Sequence, residues 1–154
     1  VGGRVMGWPI PLACYQARTG AFDLRALLWA VPTVLGVGLI RFTNNTGDIE
    51  KDVESGRRTL SVLLGRDRAR KLYHGVVAAW MISIVALVAL FFTSGVIVVP
   101  FMLLASYPLV KALMANPLAP PSRIGAMAQV CSLNIALGAF YAAALFASGF
   151  TLFA

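Results

Sequence analysis

Acid and sulfur are scarce in this chain. Its 154 residues include six Asp and Glu, two cysteines and a single histidine. Cys14 and Cys131 both sit in apolar runs, which makes them packing residues rather than a disulfide or a metal pair. His74 lies at the edge of another apolar run and reads as a hydrogen-bonded interfacial residue, not a general base. Charge of either sign is thin as well: 12% of residues are charged, against 59% hydrophobic and a mean hydropathy of +0.81. Soluble domains carry about 25% charged residues, so a soluble globular class is excluded and an integral membrane protein is predicted. Alternating ten-residue strand patterns are missing, so the membrane is crossed by helices and not by a barrel. No internal repeat, low-complexity tract or secretory signal layout interrupts this picture.

What is present is a set of long apolar runs. Residues 72–92 are long enough to cross the hydrocarbon, with Tyr73 and His74 near their start. Residues 96–114 form a second span with Pro100 and Pro108 as expected kinks, and residues 124–147 a third. Residues 24–43 are a fourth, opened by Asp23 as N-cap and bent near Pro32. Residues 5–17 carry Pro9 and Pro11 and are too short to span, so they read as a partial helix. The whole, residues 1–154, reads as one all-α transmembrane bundle.

Basic residues orient it. Eight lie between positions 41 and 71, none falls in the turn at Thr93-Ser94-Gly95, and Arg123 closes the Pro-rich loop after Met114. The positive-inside rule therefore puts the polar loop and the Pro-rich loop on the cytoplasmic side of the cell's inner membrane. The net charge of +7 is then topology and attraction to an anionic bilayer, and nucleic acid is not an expected partner.

Asn44, Asp48 and Asp52 stand four residues apart in the polar loop, RFTNNTGDIEKDVESGRRTLSVLLG. On a helix that step is about 400°, so a helix continuing from position 41 to 54 would align them in one oxygen stripe. Oxygen ligands suit Mg²⁺ or Ca²⁺ and argue against zinc or copper. Mg²⁺ fills its remaining positions with water and phosphate oxygens, so a stripe this sparse points to a phosphorylated substrate. Arg57 and Arg58, just past a helix end set by Ser55-Gly56, are placed to reach a diphosphate beside Asp52, with Lys51 a weaker third. A solvated helix face with positive-inside arginines is the competing reading. Gly47 inside this helix marks either the close approach of a ligand or another helix, or simple tolerance. Glu50 and Glu54 face away from the stripe and are expected in solvent or on nearby arginines. Residues 59–64 are expected to fold back over the site, Asp67 to cap the next helix, and Arg66, Arg68, Arg70 and Lys71 to serve topology. Gln129, Ser132, Asn134 and Tyr141 either glue helices or line a cavity.

The run Asn44-Asn45-x-x-Asp48-Ile49-x-x-Asp52, followed by Gly56-Arg57-Arg58-Thr59-Leu60 and Leu64-Gly65, resembles the second aspartate-rich motif of the UbiA superfamily of intramembrane aromatic prenyltransferases. Within that superfamily it is most similar to the 1,4-dihydroxy-2-naphthoate polyprenyltransferases of menaquinone synthesis. The resemblance implies a helical bundle of nine spans in which two aspartate-rich motifs hold Mg²⁺ on a polyprenyl diphosphate, and an aromatic acceptor attacks the allylic cation. It assigns Asn44, Asp48 and Asp52 to the metal, Asp48 and Asp52 to catalysis, and Asn45, Lys51, Arg57 and Arg58 to the diphosphate. Arg57 stands where the family usually has Lys, and Gly47 and Val53 stand where the naphthoate group commonly has arginines. No first aspartate-rich motif is present. The chain is therefore expected to be the C-terminal part of a larger enzyme, from about the fifth span onward, and inactive alone. A UbiA-type enzyme with another acceptor and a cation-binding transporter or subunit are the alternatives. The Asp-Gly and Ala-Arg pairs of a CDP-alcohol phosphatidyltransferase are lacking.

Overall fold

The computed structural model describes residues 23–152 continuously, together with residues 9, 13, 15–17 and 20. Most of the partial helix expected over residues 5–17, and Cys14 with it, lies outside the described residues. Helix α1 spans Leu24–Gly47, α2 Ile49–Glu54, α3 Leu60–Leu64, α4 Arg66–Phe91, α5 Val98–Ala115 and α6 Arg123–Leu152. No strand occurs among the described residues. Four helical stretches are long and apolar enough to cross a bilayer: Leu24–Gly47, Arg66–Phe91, Thr93–Ala115 and Pro120–Gly149. The chain is a multi-pass membrane protein with an all-helical bundle, as its composition requires.

Local signals set the helix ends. Asp23 caps α1 by accepting a hydrogen bond from the Arg25 amide at 2.8 Å. Pro32 is buried inside α1, where it removes one backbone donor without ending the helix. Pro100 falls in the first turn of α5, where amides lack intrahelical partners anyway, so it is not the kink expected there; Pro108 does lie in the helix interior. Gly65, at φ 72°, turns the chain into α4 and takes the N-cap position. Asp67 sits in the first turn instead, where its charge complements the helix dipole. The expected turn at Thr93-Ser94-Gly95 is a 3₁₀ helix, Thr93–Ile97, that leads directly into α5.

Lipid tails are as apolar as leucine, so the helices are held by close packing and interhelical hydrogen bonds rather than by the hydrophobic effect. Gly36 of α1 illustrates the first: a Cβ there would lie 2.7 Å from both Trp80 of α4 and the Asn134 amide of α6. Hydrogen bonds supply the second. Thr43 pairs with Tyr73 at 2.9 Å, joining α1 to α4, and Thr46 pairs with Ser61 at 2.9 Å, joining α1 to α3. Tyr141 of α6 donates to the Trp29 carbonyl of α1 at 3.0 Å, so it glues helices. Asn134 and Tyr141 also line one 130 Å³ cavity, which gives this face both expected roles. Gln129 accepts from Asn116 at 3.0 Å and so fixes the Pro-rich loop to α6.

Candidate functional site at the α1–α2 junction

The polar loop does not form one helix to Glu54. Asp48 sits between α1 and α2 with φ −108° and ψ 16°, and this breaks the regular geometry. Gly47, about 1 kcal/mol worse than Ala inside a helix, weakens the run at that point. The Asp48 amide still donates to the Asn44 carbonyl at 3.1 Å, and the Asp52 amide to the Asp48 carbonyl at 2.8 Å. The four-residue step therefore survives the break in the backbone, although the single helix does not.

Asn44 and Asp48 are brought together by a residue that the sequence reading used only to mark topology. Arg123, the first residue of α6, places Nη2 2.8 Å from Asn44 Oδ1 and 2.8 Å from Asp48 Oδ2. Asp48 holds an N-cap position without capping α2, because its carboxylate is turned to Arg123 instead. Gly47 is explained by the same contact: a Cβ there would lie 3.0 Å from Arg123 Cγ. The close approach foreseen at Gly47 is that of another helix. Nothing in the sequence links positions 79 residues apart, so no local signal could have found it.

Asp52 does not share that partner. Its side chain is buried, and the nearest cation is Arg57 Nη1 at 3.8 Å. The backbone puts Arg57 there. The Gly56 amide donates to Val53 and the Arg57 amide to Asp52, at 3.1 and 2.8 Å, and Gly56 takes φ 68°. This is the helix-ending motif that glycine permits, and it folds the chain back over the last turn of α2. Arg58 and Lys51 are exposed and form no ion pair among the described residues.

Asn45 borders a groove that Asp48 does not line. It lines this 440 Å³ groove with Arg41, Leu60 of α3, and apolar residues of α1 and α4 such as Val34, Leu39 and Val76. With Asn44, Arg41, Ile40 and Met127 it also lines a 340 Å³ depression. Residues 59–64 do fold back against α1, through the Thr46–Ser61 pair and with Leu60 lining a groove that sets Asn45 and Arg41 beside apolar side chains.

Arg66 has more to do than mark topology. It donates to Glu50 at 2.5 Å, to the Thr46 carbonyl at 3.1 Å and to the Leu118 carbonyl, tying α1, α2 and the Pro-rich loop together. The Arg66 hydrogen bond, aided by the backbone at Glu50, holds the Glu50 carboxyl below its ordinary 4.5. A lowered folded value means that the pair stabilises the fold above about pH 4.5 and is lost as pH falls through the folded value. Glu50→Gln should therefore flatten the loss of stability as pH falls below about 4.5, seen as a shallower fall in melting temperature and worth no more than about 1 kcal/mol because Glu50 is half-exposed. A parallel drop in parent and variant would remove this pair from acid sensitivity. His74 lacks the hydrogen bond expected of it: Nε2 is buried and without a partner among the described residues, and the ring packs edge-on against Tyr73.

Among the described residues no three His, Cys, Asp or Glu side chains cluster as a metal site. The donor set is smaller and mixed: one amide oxygen and one carboxylate oxygen converge on a single cationic nitrogen. Two hard oxygens already arranged around positive charge fit a hard divalent cation that completes its shell from a second ligand.

A model of the UbiA prenyltransferase family matches residues 1–134. The chain is 29% identical over 140 residues to the 1,4-dihydroxy-2-naphthoate octaprenyltransferase of Bacillus subtilis (strain 168), covering 88% of this chain and 44% of that protein. It is 30% identical over 138 residues to UbiA prenyltransferase domain-containing protein 1 of Rattus norvegicus, covering 85% and 38%. The human protein of that name is 36% identical over 67 residues, covering 42% and 20%. The chain thus spans less than half the length of the curated relatives it matches. No solved structure gives a significant match.

Proposed function

The chain belongs to the UbiA prenyltransferase family, and from that premise we propose that it supplies one metal-and-diphosphate half of an intramembrane prenyltransferase. The reaction moves a polyprenyl group from its diphosphate to an aromatic acceptor. The acceptor is 1,4-dihydroxy-2-naphthoate, the compound named for the Bacillus subtilis relative, in menaquinone synthesis at the cell's inner membrane. Residues 1–154 act as one domain in this reading, with the α1–α2 junction on the cytoplasmic side.

The observation that carries the proposal is the convergence of Asn44 and Asp48 on one cationic nitrogen, with the neighbouring Asn45 lining a groove of Arg41 and apolar side chains. Asn44, Asp48 and Asp52 are the residues that would hold Mg²⁺. When bound, the ion supplies positive charge for the departing diphosphate. Arg57 and Arg58 add forked donors to the same oxygens, with Lys51 and Asn45 at the margin. The C–O bond to the prenyl chain breaks with its electron pair leaving on the diphosphate. The allylic cation left behind is attacked by an aromatic carbon, which then sheds its carboxylate as CO₂. The apolar walls of the groove, Val34, Leu39 and Val76 among them, keep water from that cation.

A non-hydrolysable prenyl thiodiphosphate tests this directly. Calorimetry on the complete protein in nanodiscs should register uptake with Mg²⁺ and none after chelation. Uptake indifferent to metal would sink the proposal.

A further inference from the structure

Arg123 bridges two oxygens of the proposed metal site. Its Nη2 sits 2.8 Å from each of two oxygens, Asn44 Oδ1 and Asp48 Oδ2, and its side chain is 37% exposed while that of Asp48 is 16% exposed. Gly47 makes this possible, since a Cβ there would press on Arg123 Cγ at 3.0 Å and on its Cβ at 3.3 Å. The stem of the arginine therefore lies across the helix junction in a space left by a missing side chain. A guanidinium 2.8 Å from both oxygens places positive charge where it opposes the entry of a divalent cation. Like-charge repulsion favours a turn of the partly exposed Arg123 side chain when the metal arrives.

We propose that Arg123 is the resident counter-cation of this site: it neutralises Asp48 in the metal-free protein, is displaced by the divalent cation, and then donates to the diphosphate that the cation brings. The proposal rests on the function proposed above. It gives Arg123 opposite effects on two ligands, weakening metal binding alone and strengthening diphosphate binding in the presence of metal. A purely structural salt bridge would not divide in this way.

The test uses the complete protein in nanodiscs, Mn²⁺ followed by electron paramagnetic resonance, and the thiodiphosphate analogue at saturating Mn²⁺. Arg123→Ala should bind Mn²⁺ about fivefold more tightly than the parent, the size of a partly exposed ion pair. The same variant should bind the analogue about fivefold more weakly. Gly47→Ala, which keeps every charge but crowds the Arg123 stem, should also tighten Mn²⁺ and carries the test if Arg123→Ala fails to fold. Unchanged or weaker Mn²⁺ binding in the variants, with the parent site intact, overturns the proposal and leaves the metal reading standing. Mn²⁺ binding that is absent from the parent, or that survives Asp48→Asn, removes the metal reading and this inference with it.

Discussion

Exchanging Asp48 for Asn is expected to slow prenyl transfer by about a hundred- to a thousandfold, the range lost when one preorganised charge-stabilising group is taken away. The substitution keeps volume and leaves an amide oxygen for Arg123 to donate to at the same 2.8 Å, so the α1–α6 contact persists. What goes is the negative charge that, in the proposed function, would hold the cation. Asp52→Asn should act in the same direction, since that carboxylate is buried with Arg57 as its ion-pair partner among the described residues. Glu50→Gln is the internal control: Glu50 stands two residues from each aspartate, but its carboxylate is engaged by Arg66, and turnover should stay within about twofold of the parent. Initial rates with labelled prenyl diphosphate, normalised to inserted protein, decide the matter. Turnover of Asp48→Asn within tenfold of the parent would take this residue out of the mechanism.

Gly95→Ala is expected to destabilise the bundle by about 3 kcal/mol, the upper end for forcing one extra carbon into packed surroundings. A Cβ at Gly95 would lie 2.9 Å from the carbonyl carbon of Ala144 and closer still to its oxygen. Those atoms belong to the backbone of α6 and cannot rotate away. The clash would also pull the Gly95 amide off Ser148 Oγ, now at 3.0 Å in a buried setting. Melting of the purified protein should fall by about 6 to 12 °C. Gly75→Ala is the matching control, because nothing lies within 4 Å of a Cβ there, and alanine is the better helix former. Equal melting of Gly95→Ala and the parent would mean that the 3₁₀ segment and α6 do not pack this closely.

The spans were legible because lipid leaves the backbone few choices, and Asp23, Ser55 and Gly56 marked their ends by local chemistry that acts within a few residues. The stripe of Asn44, Asp48 and Asp52 was legible as spacing. Its division into an Asn44–Asp48 pair held by Arg123 and an Asp52 held by Arg57 was not, because a period of four says nothing about what lies opposite. Arg66 and Arg123 were hidden for the same reason. A single arginine after a glycine or a proline-rich loop looks like any positive-inside residue until the fold brings distant carbonyls and carboxylates to it. Pro100 was misplaced for a different one: the extra turn of 3₁₀ helix before α5 moved it from a helix interior to a helix start.

That Arg123 lies 79 residues beyond Asn44 has a consequence for biogenesis. At about 5 to 20 residues per second, the ribosome takes about 4 to 16 s to cover that stretch. Through most of that interval the nascent polypeptide displays Asp48 without Arg123, its partner in the fold. The translocon therefore handles a half-made pocket that closes around Asn44 and Asp48 only when α6 enters the bilayer.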